Sequence, residues 1–436
     1  MKKKISIMLA VLIALTISLT ACSNEAEPSS SASETDTVGS EVTETDTDEV
    51  DLSYQTDIAA LRKSLSETKI DASKPVSKNA NEETTKLFNY LKSIEGKHIL
   101  SGQQMLYSEE YEDLTYYLYA NGKLPAIHAY DFFNTTTYKD NSQIDSAIRW
   151  HTECNGIVMF CWHWMLPKDR NDESLGYSYE EWEIDFDKTK CTTPGTDEYK
   201  RVIRDIDLVA EQLKILEEKG VPVIWRPLHE AAGDWFWWGM TDTENSKEIY
   251  HDLWYMIFDR LENYHKLTNL IWVWNGQDEE LQVSKNTFDI VSDDIYPRSE
   301  RNHTSHVDTY KKWKELAGDK MVTLSESEFI PDPELLQADG AAWLSWTTWW
   351  GEYIYDANDE GRPKLKNNRT TPVLNDKYID QEFLTRVMTS DYVITLDELP
   401  EWDDDTLRDL PYRVRVYLTD FPEARIPDGN ASSAAQ

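Results

Sequence analysis

The sequence predicts an α/β chain folded as a (β/α)8 TIM barrel, and three observations carry that expectation. Short apolar runs ending in polar or aromatic residues recur eight times, and helix-like stretches separate them. No Ser/Gly/Pro linker divides the span from residue 70 to about residue 400, which is a normal length for one barrel. Asp131, His163, Glu230, Asn275, Tyr296 and Glu326 close six different runs. A closed ring brings all six ends around one opening, which its structural competitor, a flavodoxin-like or larger doubly wound sheet, does not.

In chain order the runs are 98–102, 125–131, 156–163, 221–230, 270–275, 288–296, 321–327 and 341–349. Helical period is clearest over 199–219, where Val202, Ile206, Val209, Leu213 and Leu216 recur at steps of four and three. Gly220 then stops the helix and Pro222 opens the next strand. Segments 86–91, 144–150, 253–264 and 309–316 carry the same pattern more weakly. The longest insertion, 168–198, follows the third run, and its Tyr177, Tyr179, Trp182 and Phe186 predict a wall of a substrate cleft.

The flanks read differently. Residues 1–21 combine three lysines with a short apolar stretch and small residues before Cys22, the pattern of a lipoprotein signal in which Cys22 takes lipid. An ordinary leader cleaved nearby is the alternative. Residues 22–55 follow as an acidic linker, expected to be disordered because it holds too little apolar surface to offset its ordering entropy. Residues 401–436 form an acidic C-terminal extension that either packs through Tyr412, Val414 and Tyr417 or loosens from Pro427.

A formal charge of -36 repels nucleic acid and anionic lipid, and suits a neutral substrate. Cys154, Cys161 and Cys191 lack metal-ligand spacing and are expected to be buried thiols, with a bridge from Cys154 or Cys161 to Cys191 left open. GxGxxG, Walker A and GxSxG motifs are absent, so nucleotide and serine-hydrolase chemistries start low.

The candidate site starts from Arg226-Pro227-Leu228-His229-Glu230, with Trp235, Trp237 and Trp238 close behind. Glu326 ends another apolar run about a hundred residues later. Two carboxylates among indoles point to glycoside hydrolysis, in which one acts as acid/base and the other as nucleophile or base. Desolvation by the rings suits Glu230 to protonate a glycosidic oxygen. Glu328 competes with Glu326, because strand alternation puts both on one face. Tyr296 is placed to donate a hydrogen bond to this carboxylate, and Trp349 or Trp350 to lie under a sugar ring. His163, between Trp162 and Trp164, reads as a donor to sugar hydroxyls or as a satisfied structural histidine. No cluster with metal spacing accompanies it, and neither metal nor cofactor is expected.

At these residues the chain resembles glycoside hydrolase family 26, whose best-known members are β-mannanases. The likeness runs over about residues 86–399, through His98-Ile99-Leu100-Ser101-Gly102-Gln103-Gln104, Pro125 to Phe132, Cys161-Trp162-His163-Trp164 and 222–230. Asn269 to Asn275, Asp294-Ile295-Tyr296 and Leu324-Ser325-Glu326 continue it. The resemblance implies a retaining mechanism with Glu230 as acid/base and Glu326 as nucleophile. It also implies assistance from His229 and Tyr296 and substrate contacts at Trp162 and His163. Asp131, Trp235, Trp238, Trp349 and Trp350 complete the expected binding set. Glu328 departs from the glycine or small residue usual in the family two positions after the nucleophile, which puts the local subsite shape in question.

The expectation is therefore a monomeric, extracellular endo-1,4-β-mannosidase tethered to the membrane through Cys22 and acting on mannan, glucomannan or galactomannan. Cleavage of β-1,3-xylan or mixed-linkage β-glucan is the alternative within the class. A non-catalytic carbohydrate-binding lipoprotein is the alternative outside it.

Overall fold

The computed structural model describes residues 50–105, 117, 122–356 and 373–402. The leader, Cys22, most of the acidic linker and the extension beyond residue 402 lie outside the described residues. The ordered part begins earlier than residue 70: a helix spans Ile58–Glu67 and the preceding residues are docked. Tyr54 donates to Asp259 at 2.8 Å, Tyr264 donates to Asp51 at 2.7 Å, and Arg62 pairs with Asp252. Residues 50–55, predicted as the end of the disordered linker, are therefore held by side-chain partners that are distant in sequence.

Seven parallel strands form the ring: β1 (Gly102–Gln104), β2 (Ile127–Asp131), β3 (Ile157–Cys161), β4 (Val223–Arg226), β5 (Leu270–Trp274), β6 (Ile290–Ile295) and β7 (Met321–Ser327). Each pairs with the next in register, from Gly102 opposite Ile127 through to Met321 opposite Ile290. The eighth run, predicted as a strand over 341–349, is not a regular strand. It nevertheless closes the ring, because Trp346 N–H donates to Leu100 and Thr348 N–H to Gly102 on one side, while Leu344 N–H donates to Val322 and Ser327 N–H to Thr347 on the other. A Cβ on Gly102 would lie 2.5 Å from the Trp346 carbonyl oxygen, so only glycine permits this approach. Closure excludes the open doubly wound sheet.

The first predicted run is divided. Ile99–Leu100 pairs with Val393–Ile394, which fastens the chain beyond the last barrel element, and Gly102–Gln104 pairs with β2, while Leu100 also meets the eighth run.

The helices follow the predicted faces. The longest, Asp197–Glu218, starts on Thr196, whose hydroxyl accepts the Tyr199 N–H at 3.1 Å, with Asp197 and Glu198 facing the helix dipole in its first turn. Val202, Ile206, Val209, Leu213 and Leu216 are all buried, and Gly220 takes a left-handed φ of 71° where the chain turns into β4. Truncating Leu213 to alanine there costs ~2–5 kcal/mol. Glu82–Ile94, Ser142–Thr152, Ser246–Asp259 and Val307–Ala317 contain the weaker patterns, the third continuing as a π turn, Arg260–Tyr264. Cys154, Cys161 and Cys191 are buried free thiols. Among the described residues, no helix is long and apolar enough to cross a membrane.

Candidate active site

All six polar endings gather at the C-terminal rim of the strands. Glu230 reaches it by leaving the strand. β4 ends at Arg226, and Leu228 and Glu230 both take left-handed conformations, φ 50° and 51°. Such backbone costs ~1–2 kcal/mol per non-glycine residue, so its neighbours must hold it. Asn275 accepts the Glu230 N–H at 2.7 Å, Glu230 C=O accepts the Gly233 N–H at 3.0 Å, and Trp238 Nε1 donates to the His229 carbonyl at 2.8 Å.

Glu326 arrives on β7 through a register shift between Leu324 and Glu326, a bulge that re-aims the side chain at the strand end. One carboxylate oxygen accepts from Arg226 Nη2 and the other from the Tyr296 hydroxyl at 2.7 Å. Glu328, the competitor, instead accepts the Arg298 N–H at 2.6 Å and takes no part in this pair of contacts. Strand alternation could not separate the two carboxylates. Their hydrogen-bond partners do.

Carboxylate oxygens of Glu230, Glu326 and Asp294 lie within 4.8 Å of one another. Burial pushes Glu230 up to about 7, and the Glu326 charge adds to it, against Arg226, His163 and the Trp235 indole, which donates to Glu230 at 3.1 Å. Arg226, wholly buried, donates to Asp294 at 2.7 Å as well as to Glu326. Burial opposes its charge, but the two carboxylates outweigh it and hold the guanidinium well above its ordinary value. Burial likewise pushes Asp294 well above the carboxylate range, with Arg226 opposing and Glu326 and Glu230 adding to the rise. Arg226 and Asp294 carried no assigned role in the sequence. The only signal was charge at the ends of apolar runs.

Asp131 is committed to His163 on both oxygens, to the backbone N–H at 2.9 Å and to Nδ1 at 2.5 Å, so it positions the imidazole rather than offering itself to a sugar. Burial lowers the His163 pKa, but the Asp131 charge more than restores it, and the net shift is upward. His229 shifts the other way, well below its ordinary value, by burial first and then by His163 and Arg226. The two Nε2 atoms are 3.2 Å apart, so the shifts make His163 the donor and neutral His229 the acceptor.

Three residues expected at the substrate lie behind the surface. Trp162 is 1% exposed between Trp164, at 3.9 Å, and Trp225. His229 is 0% exposed, and Trp238 is 1% exposed and stacked on Phe236 at 4.4 Å. These rings support the rim and present no face to a sugar. The Trp235 to Trp238 cluster is therefore mostly core, with Trp237 also buried and only Trp235 partly exposed. Hydrophobic clustering in a sequence does not distinguish a wall from the packing beneath it. His163, Trp235, Tyr296, Trp349 and Trp350 remain partly exposed at the rim, with Trp349 5.8 Å from His163. The 168–198 insertion joins them: Tyr179 packs 5.4 Å from His163, and Glu180 pairs with Phe236.

A model of the family described as glycosyl hydrolase family 26 matches residues 76–379. A mannan endo-1,4-β-mannosidase of Thermothelomyces thermophilus is 35% identical over 340 residues, covering 75% of this chain and 63% of that protein. Mannan endo-1,4-β-mannosidase B of Piromyces is 33% identical over 328 residues, covering 73% of this chain and 52% of its own. The chain thus spans between half and two thirds of the length of these curated relatives. Among solved structures, a ruminal family 26 endo-β-1,4-mannanase superposes with a TM-score of 0.66 at 29% identity, covering 77% of this chain and 72% of its own. The Podospora anserina β-(1,4)-mannanase gives 0.62 at 33% identity, covering 76% and 69%.

Proposed function

Since the chain belongs to glycosyl hydrolase family 26, we propose that it is an endo-1,4-β-mannosidase that cleaves mannan, glucomannan or galactomannan with retention of anomeric configuration. The observation that carries the proposal is the pair Glu230 and Glu326, with carboxylate oxygens within 4.8 Å. Oxygens that near each other support the short carboxyl separation of retaining enzymes, roughly 5–5.5 Å, over the ~6.5–9.5 Å that leaves room for a water in inverting ones.

Glu230, held protonated to about pH 7, donates to the glycosidic oxygen as the bond to the leaving sugar breaks. Glu326 attacks the anomeric carbon from the other face, and its two acceptor contacts with Arg226 and Tyr296 aim the oxygen. Esterification removes the Glu326 charge, which is the second cause of the raised Glu230 pKa. The pKa of Glu230 then falls, and the same side chain becomes the base that takes a proton from water. Water attacks the anomeric carbon, the ester bond breaks and Glu326 is regenerated. Arg226, buried between Asp294 and Glu326, keeps the nucleophile in place through both steps.

Relatives named as mannan endo-1,4-β-mannosidases support the substrate class. The test is reducing-sugar release from a panel of mannans, xylans and mixed-linkage β-glucans, with the anomer formed first read by proton NMR. Release from xylan or β-glucan without any from mannan overturns the substrate. First formation of the inverted anomer overturns the mechanism. A purified protein that binds mannan and never cuts it is a binding module.

The leader pattern supports placement outside the cell, with Cys22 lipidated and the acidic linker as a tether. Labelled fatty acid should enter the parent protein and not C22A, which should leave the membrane fraction. Equal labelling of both refutes the anchor.

A further inference from the structure

Resting on the reading of Glu230 above, a buried cation on the 168–198 insertion connects to the acid/base. Lys188 is 3% exposed, and the mechanism makes no use of its charge. Enclosing an ammonium is costly unless it is paired and hydrogen-bonded, and here its partners tie two stretches of chain together. Nζ donates to the Gly239 carbonyl at 3.0 Å and to the Thr241 hydroxyl at 2.6 Å, both on the loop after β4. Glu181, on the insertion itself, lies 3.6 Å away, and Thr243 donates to the same Glu181 oxygen at 2.6 Å.

The loop so held carries Trp235. Its edge lies along the insertion: Glu180 and Phe236 form an antiparallel bridge, Trp237 N–H donates to the Tyr179 carbonyl at 3.0 Å, and Glu181 N–H donates to the Trp235 carbonyl at 3.4 Å. Within the loop the backbone is stacked without slack. A Cβ on Gly239 would lie 2.4 Å from the Gly233 carbonyl oxygen, and a Cβ on Gly233 would lie 2.4 Å from the Trp235 ring. Contacts therefore run from Lys188 to Gly239, then to Gly233 and to the Trp235 indole. They end at Glu230, which accepts from that indole at 3.1 Å.

We propose that Lys188 is a positioning residue that acts through Gly239 and Gly233 to seat the Trp235 indole on Glu230, so that the insertion after β3 orients the acid/base. The consequence is a pH dependence with a definite sign. Burial and the Glu326 charge raise Glu230, while Arg226, His163 and the Trp235 donor lower it. Asp294, the remaining carboxylate beside it, faces it from β6. Loosening Lys188 leaves the groups on β3, β4, β6 and β7 in place and withdraws the indole, so the Glu230 pKa should rise.

The experiment titrates Glu230 by carbon-13 NMR in the full chain, comparing the parent, Lys188→Met, Trp235→Phe and the double variant. Lys188→Met and Trp235→Phe should each raise the midpoint by about 0.5 to 1 unit, and Lys188→Met should add less than about 0.2 unit once the indole is gone. A lost lysine charge acting at a distance would instead move both backgrounds equally, and a merely structural lysine would move neither. Either result overturns the proposal. Thr241→Val removes one Lys188 contact without removing charge, and should raise the midpoint by a smaller amount in the parent and not in Trp235→Phe. It decides the matter in the same way if Lys188→Met does not fold. The titration needs no substrate, so a failure of the mannan assignment leaves it intact.

Discussion

Replacing Glu326 with glutamine should lower the pKa of Glu230. The substitution keeps the side-chain shape and removes the negative charge whose oxygens lie within 4.8 Å of those of Glu230. At that distance two charges interact by ~3.5 kcal/mol at an effective dielectric constant of ~20, or ~2.5 pKa units. A wetter cleft at twice that constant halves the effect. The Glu230 pKa, about 7 in the parent, should therefore fall by about 1 to 2.5 units in E326Q. Burial, the larger cause, is unchanged, so a residual rise should remain. Carbon-13 NMR of glutamate-labelled protein reads the titration directly, and E230Q identifies the resonance by its loss. In the parent, kcat/KM should drop as pH rises through about 7, because the proposed mechanism needs Glu230 protonated. A shift in E326Q below roughly 0.3 unit would refute the electrostatic coupling and, with it, the switch of Glu230 from acid to base.

Truncating the proposed acid/base, E230A, should lower kcat on polysaccharide by about 10²–10⁴, with added azide restoring turnover on aryl glycosides; no rescue places the acid elsewhere. Y296F removes the hydroxyl that donates to Glu326 at 2.7 Å, and should cost about tenfold in kcat with KM nearly constant; an effect on KM alone contradicts the nucleophile contact. W238F leaves the His229 carbonyl without its indole donor, and should lower unfolding stability in urea by ~1–3 kcal/mol, whereas a neutral change would show that the turn before Glu230 does not depend on it. Burial raises Glu262, which accepts from Ser77 and Trp272, to about 7, and Asp289 to about 6. The folded chain keeps these protons where the unfolded chain has released them, so their contribution is full below the unfolded values and is lost as pH rises toward 7. E262Q should flatten the fall in urea midpoint between pH 4.5 and 7; an unchanged slope assigns it to other groups.

The alternation of apolar runs and helical periods was enough for the barrel, because burying strands on both faces leaves a pattern along the chain that no distant contact has to supply. The same holds for the helix at Asp197–Glu218, whose cap, stripe and stop are all local. Glu230 and Glu326 could be placed at the rim for a related reason: each closes an apolar run, and such runs end at the rim of a barrel. What failed was depth. Trp162, His229 and Trp238 lie near His163 or Glu230 in sequence yet are buried, and position along a loop does not record which ring faces solvent. The eighth stave was placed by sequence, but its irregular closure was set by Leu100, Gly102 and Val322, all remote in the chain. Arg226 between Asp294 and Glu326, Asn275 under Glu230, and the bulge before Glu326 are likewise contacts between different strands. The sequence determined which residues could carry the chemistry. The tertiary structure decided which of them reach the cleft and in what protonation state, because burial and charge at a site are sums over neighbours that the linear order keeps apart.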